Sequence, residues 1–179
     1  MNLYLRLLWT WLRARGKPAI RFGECIELSL RVWPGDLDIN GHMNNGRYMT
    51  ITDLALVEYF TRSGLLGIAL RRGWRPVLGG AMISFRRSLK PFRRYTLRFE
   101  VLGWDDRWSY MRFEFRGAGQ TMAVGHAKGA VIGREGIVRS ELALHALGMA
   151  DASPPLPASL RAWIEAERRL VCAPVGGTS

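Results

Sequence analysis

The sequence predicts an α+β fold in which an antiparallel sheet wraps around one long, buried helix. Two observations carry this. A helical stretch around residue 50 is apolar on most of its circumference, which a helix resting on a surface is not. After it the chain turns strand-rich to about residue 133, in runs joined by short turns, the pattern of an antiparallel meander. One small sheet cannot enclose such a helix, so dimerisation is expected to complete the core. With 179 residues, 48% of them apolar, the chain suffices for one domain with a real core.

Residues 1–20 read as an amphipathic lead segment. In MNLYLRLLWTWLRARGK the apolar run is broken by Arg6 and falls short of the roughly 20 apolar residues that span a bilayer. It has no small-residue cleavage site and so does not read as a signal peptide. On a helix, Tyr4, Leu7, Leu8, Trp11 and Leu12 share one face, while Arg6, Arg13 and Arg15 lie towards the other. Such a helix either lies on anionic lipid through residues 1–16 or covers the domain's own sheet or a partner subunit. The covering role is the plainer expectation.

Residues 21–150 carry the main domain. ECIELSLRV alternates, with Ile26, Leu28, Leu30 and Val32 on one face, and predicts a strand over 24–32. After a polar loop, NNGRYMTITDLALVEYFTRSG predicts a helix capped by Asn44 or Asn45 and closed at Gly64. Tyr48, Ile51, Ala55 and Tyr59 spread apolar surface over most of its sides. A linker around RRGWRP leads to strands over 77–89, 95–101, 108–116 and 121–132, with Pro91 ending the first. GWDDRW and GAGQ supply hairpin turns, and RSELALHALG predicts a short helix. Residues 151–179 add the proline-rich linker DASPPLPAS, a charged helix over 160–170 and a loose tail.

The net charge of +11 and a pI near 10.8 favour anionic partners: nucleic acid, an anionic membrane or a phosphorylated ligand. No RNP motif, KH loop or zinc knuckle is present, which disfavours nucleic acid. Cys25 and Cys172 fit no CxxC or zinc spacing and read as reduced thiols of a cytoplasmic protein. Neither a metal nor a cofactor is expected.

DLDINGHMNNGRY is the densest cluster of chemically capable groups in the chain. Asp, Asn and Gly form turns and caps, so each alone reads as structure. Together they stand directly before a buried helix, whose first N–H groups lack partners and can polarise a carbonyl. Asp38 can bring a carboxylate beside that helix start. A polarised carbonyl next to a carboxylate is what acyl transfer or hydrolysis requires. No GxSxG elbow occurs, which disfavours a serine hydrolase.

DLDINGHMNNGRYM, followed by the acid in TDLALVEYF, resembles the thioesterase superfamily with the hotdog fold. It is similar to both the 4-hydroxybenzoyl-CoA group and the plant acyl-carrier-protein thioesterase signature. LGWDDR resembles the member-six group of the same superfamily. The resemblance covers residues 24–133. It implies hydrolysis of acyl-CoA or another acyl thioester, a place in lipid metabolism, and a homodimer or homotetramer with substrate at the subunit interface. It also implies that Asp38 is the nucleophile or general base and that the Asn45 N–H polarises the thioester carbonyl. Asp53 matches the helical acid that a second type uses instead. Hotdog proteins include dehydratases and members without turnover. A dehydratase pairing His42 with Asp38, or an acyl-CoA-binding protein, therefore stays open.

The remaining candidates each carry two readings. Asn40 and His42 orient the acid or a water, or merely brace the loop. Asp53 is catalytic, or bonds backbone inside a dimer. Tyr48 joins Asn45 as a substrate-binding residue. Arg86, Arg87, Lys90, Arg93 and Arg94 hold the phosphates of coenzyme A, or form a solvated strand edge. Asp36 is expected to matter much less than Asp38, and His126 reads as a satisfied core residue.

Overall fold

In this computed structural model, which describes residues 3–149 and 152–172, the alternating segments pair into one antiparallel sheet. Its strands are β1 (Ile26–Arg31), β2 (Arg75–Phe85), β3 (Arg94–Trp104), β4 (Ser109–Gly117), β5 (Gln120–Gly133) and the short β6 (Gly136–Val138). They run in the order β1-β3-β4-β5-β2, with β6 on β5. β3, β4 and β5 are the expected meander. β1 and β2, neighbours in sequence, lie at opposite edges, so the segment between them has to cross the sheet.

That crossing is made by α2 (Asn45–Arg62) and α3 (Leu65–Arg72). Strand register places Leu97, Phe99 and Val101 of β3 on one face with Met111, Phe113 and Phe115 of β4. Against this face α2 buries Tyr48, Ile51, Leu54, Ala55 and Tyr59. Each of these larger side chains contributes about 1.5–3 kcal/mol through burial. β5 faces them with small residues, and the space is needed: a Cβ on Gly125 would stand 2.5 Å from the Phe113 ring. The result is the hotdog arrangement, a helix wrapped by a curled sheet.

The wrapping is incomplete on one side. Met49, Leu56, Val57 and Phe60 of α2 stay half-buried and Asp53 is exposed. β2, the edge strand beside them, exposes Leu78, Met82 and Phe85.

Four local differences from the sequence expectations have simple causes. The expected linker begins with a helix, α3, because LLGIALRR is helix-forming and sits between two left-handed glycines, Gly64 (φ 82°) and Gly73 (φ 65°). β2 ends at Phe85, not at residue 89, because the Arg86 and Arg87 N–H groups both donate to the Met122 carbonyl. β6 follows a tight turn at Arg134 and Glu135, entered through Gly136 at φ 108°, that no alternation announces. The proline-rich stretch, finally, lies along the sheet. The Trp104 N–H donates to Ser153 Oγ at 2.8 Å, and α5 (Ala158–Cys172) buries Leu160 completely and pairs Glu167 with Lys128. α4 (Ser140–Ala146) is the expected short helix. The expected loose tail, 173–179, lies outside the described residues.

α1 (Leu3–Arg15) packs on α2 but in a different orientation from the one its periodicity suggests. Arg6, Thr10 and Ala14 face inward, with Leu3 and Leu7 half-buried against the core. Tyr4, Leu8 and Leu12, expected on the packed stripe, point outward together with Leu5 and Trp9. A charged residue is turned inward because it finds a charged partner there.

Candidate active site

That partner is Asp36, the first acid of DLD. Arg6 Nη1 donates to both Asp36 carboxylate oxygens at 2.9 Å, with both side chains almost fully buried. The Trp33 N–H donates to Asp36 Oδ2 at 3.0 Å, and the Asp36 carbonyl accepts the Asn44 N–H at 2.8 Å. Asp36 therefore fixes where α2 begins. Nothing in the local sequence separates this structural acid from Asp38, because its partner lies thirty residues away.

Asp38 sits in the following turn, closed by a bridge between Leu37 and Met43. Its N–H donates to the His42 carbonyl, its carbonyl accepts the Gly41 N–H, and its Oδ1 accepts the Asn40 N–H at 2.9 Å. His42 Nδ1 stands 3.6 Å from the same oxygen. Asn40 thus engages Asp38 through backbone, and its side chain is exposed. This is an Asx turn, with Gly41 at φ 72° supplying the left-handed residue.

Helix capping leaves one amide open. Asn44 is the cap: its side chain accepts the Gly46 N–H at 2.8 Å and its carbonyl accepts the Arg47 N–H at 2.9 Å. The Asn45 N–H meets no acceptor among the described residues. An unfilled helix-start amide carries partial positive charge and can hold a carbonyl oxygen. Tyr48, one turn on, is buried with its ring edge-on to Phe85 and Phe115. It is part of the core and meets no open surface.

Asp53 occupies a different environment. It lies on the incompletely wrapped side of α2 and lines two adjoining cavities, of about 350 and 210 Å³. The larger is walled by Leu56, Phe60, Leu65, Val77, Val101 and Met111, among others, and its only polar side chains are Asp53 and Ser109. Loss of water around the carboxylate raises the Asp53 pKa above its ordinary value. The carboxyl remains reachable from the cavity, so it is desolvated without being sealed in. Asp38 lines neither cavity.

The basic residues converge on the same end of the molecule as the DLDINGH loop. Arg86, Arg87, Lys90, Arg93 and Arg94 are all exposed, and all but Arg94, which opens β3, lie in the connection between β2 and β3. That connection is tied down by three backbone bonds, from Met43 N–H to the Leu89 carbonyl, from Phe92 N–H to the Val32 carbonyl and from Val32 N–H to the Arg93 carbonyl. Segments about fifty residues apart are thereby placed side by side.

One residue reads otherwise in three dimensions. His126 is not in the core. It projects from the sheet face opposite α2, half-buried, with Nδ1 unpartnered, and burial followed by the Arg112 charge lowers its pKa. Asp105 braces the hairpin turn that GWDDRW is expected to make. Asp105 Oδ1 accepts the Arg107 and Trp108 N–H groups at 2.8 and 2.7 Å, and Oδ2 accepts the Tyr110 hydroxyl at 2.6 Å.

The family model of the thioesterase-like superfamily matches residues 32–164, a span that contains the loop, α2 and the whole meander. The chain belongs to this superfamily. Among curated proteins it is 40% identical over 84 residues to Protein THEM6 of Xenopus laevis, covering 47% of this chain and 41% of that one. Over 90 residues it is 32% identical to Thioesterase poxG of Penicillium oxalicum, covering 42% and 30%. The matches thus span between about a third and a half of these relatives' lengths. Among solved structures, a gentisyl-coenzyme A thioesterase superposes with a TM-score of 0.60 at 18% identity, covering 68% of this chain and 99% of that one. YbaW, a probable thioesterase from Escherichia coli, gives 0.62 at 17%, covering 68% and 98%. At such identities these structures bear on the fold, and they agree with the hotdog arrangement.

Proposed function

We propose that this protein hydrolyses acyl thioesters, with acyl-CoA as the substrate class and Asp53 as the acid that activates water or attacks the carbonyl. One observation carries the reading: a carboxylate with a raised pKa lines an apolar cavity on the helix whose first amide is open. The superfamily membership and the thioesterase names among its relatives support it. The apolar cavity suits the acyl group, and the exposed cations of the 86–94 segment suit coenzyme A phosphates.

The same geometry argues for a homodimer. Asp53 lies eight residues beyond Asn45, about 12 Å along the helix axis. One protomer's open amide and its own Asp53 are too far apart to act on a single carbonyl. Two protomers related by a two-fold axis through the uncovered side of α2 and the β2 edge would set each Asp53 against the other's Asn45 amide. Substrate then lies between subunits, and the exposed apolar residues of β2 are covered.

A second reading keeps Asp38 as the chemical acid, because it stands in the same loop as the helix start and beside the basic segment. Release of free thiol from a panel of aliphatic and aromatic acyl-CoAs tests both. Turnover by the wild type, lost in Asp53→Asn and kept in Asp38→Asn, supports the Asp53 reading. The reverse pattern assigns the chemistry to Asp38. No turnover on any thioester removes the enzyme proposal and leaves an acyl-CoA-binding protein.

A further inference from the structure

We propose that the outward face of α1, together with the basic groove beside it, docks this protein onto an anionic phospholipid bilayer. Leu5, Leu8, Trp9 and Leu12 are 59%, 51%, 59% and 48% exposed and form an apolar face on a single helix. Loose packing does not explain the exposure. The helix is pinned from beneath by the buried Arg6–Asp36 pair and by buried Thr10 and Ala14, so this face is held outward.

Trp9 borders a groove of about 450 Å³ between α1 and β1, which Arg6, Arg13, Lys17, Arg31 and Arg94 also line. Two carboxylates reach the groove, and both are already engaged. Glu58 is buried against Lys17 and Arg62, and Glu27 pairs with Arg98. Arg13, Arg31 and Arg94 have no carboxylate partner among the described residues. The groove thus offers unspent positive charge directly beside exposed Trp and Leu side chains.

The occupant follows from that pairing of charge and apolar surface. A second copy of the chain would bring the same basic groove, on a molecule of net charge +11, against this one. An anionic bilayer presents phosphates to the guanidinium groups and an acyl boundary to Leu8 and Trp9. The contact is peripheral, since no helix among the described residues is long and apolar enough to cross a membrane. On its inner side the same helix contributes Leu7 to the wall of the 350 Å³ cavity. Docking would therefore set that cavity one helix thickness from the lipid.

The test is co-sedimentation of the full chain with vesicles of phosphatidylcholine alone or mixed with phosphatidylglycerol. Binding is expected to the mixed vesicles, to weaken with added salt, and to be much lower on phosphatidylcholine alone. Leu8→Ser/Trp9→Ser and Arg13→Glu/Arg31→Glu should each weaken it by at least ~10-fold while circular dichroism and Tm stay near wild type. Absence of binding to mixed vesicles, or binding that survives both variants, overturns the proposal. So does a fall in oligomer size in Leu8→Ser/Trp9→Ser, which would assign the face to another copy of the chain. Because vesicle binding is read without substrate, this result is independent of the thioesterase reading.

Discussion

Arg6 and Asp36, one on the N-terminal helix and the other at the entrance to the candidate active-site loop, form a two-pronged ion pair buried on both sides. The pair couples the packing of α1 to the start of α2. Removing Arg6 leaves the buried Asp36 with only the more distant Arg47 at 3.7 Å, and removing the Asp36 charge leaves Arg6 without a counter-ion. Arg6→Met and Asp36→Asn should each destabilise the fold by about 3–5 kcal/mol, and Arg6→Met/Asp36→Leu by clearly less than their sum. Urea unfolding of the three variants measures this, and additive losses would show that the pair is not coupled. Asp36→Asn is therefore no neutral control for Asp38→Asn, as its position in the sequence suggests.

Asp53 should show opposite effects on activity and stability. If it is the base, Asp53→Asn lowers turnover by at least ~100-fold. Its raised pKa means that the folded state holds the proton more tightly than the unfolded state does. The stabilising contribution is complete below the ordinary carboxylate pKa and is lost as pH rises through the folded value. Asp53→Asn should therefore raise Tm at neutral pH, with the gain disappearing in acid. Equal Tm values at pH 7 would show that the carboxylate is not desolvated.

The pH dependence of turnover gives an independent check on that acid. A base works only when ionised, so the acid limb of kcat/KM should lie above the usual carboxylate range and vanish in Asp53→Asn. A limb at an ordinary carboxylate pKa would favour a different group.

Asp105 predicts the reverse sign. Burial pushes its pKa up, but the Tyr110 hydroxyl, the Arg107 and Trp108 N–H groups and the Lys128 charge together bring it below its ordinary value. Its stabilising contribution is present above the unfolded pKa and is lost as pH falls through the folded one. Asp105→Ala should cost about 1–2 kcal/mol at neutral pH, and the gap to wild type should narrow in acid. Chemical unfolding at two pH values decides the matter.

The uncovered β2 edge predicts an assembly. Leu78→Arg places a charge among exposed apolar side chains of that edge and should convert a dimer into monomers, with loss of turnover. Light scattering on both proteins reads the outcome. A wild type that is already monomeric would remove the dimer and the shared site with it.

By itself, the sequence determined most of the elements, and the inner faces of β1 and β3. Period-2 alternation in β3 is a local signal that burial follows residue by residue, whereas in β4 Glu114 is buried along with its apolar neighbours. The helix start was legible to within one residue, Asn44 or Asn45, since capping involves only neighbouring residues, and the structure chose Asn44. Relations between distant segments left no local trace, and tertiary structure alone decided them. Asp36 and Asp38 look alike in the chain, yet one is a brace because Arg6 reaches it from thirty positions away. Asp53 looks like any helical acid until β2 and α3 set an apolar cavity beside it and thin the water around its carboxylate. α1 shows the same division most plainly: periodicity found an amphipathic helix, and one buried charge pair decided which side faces out.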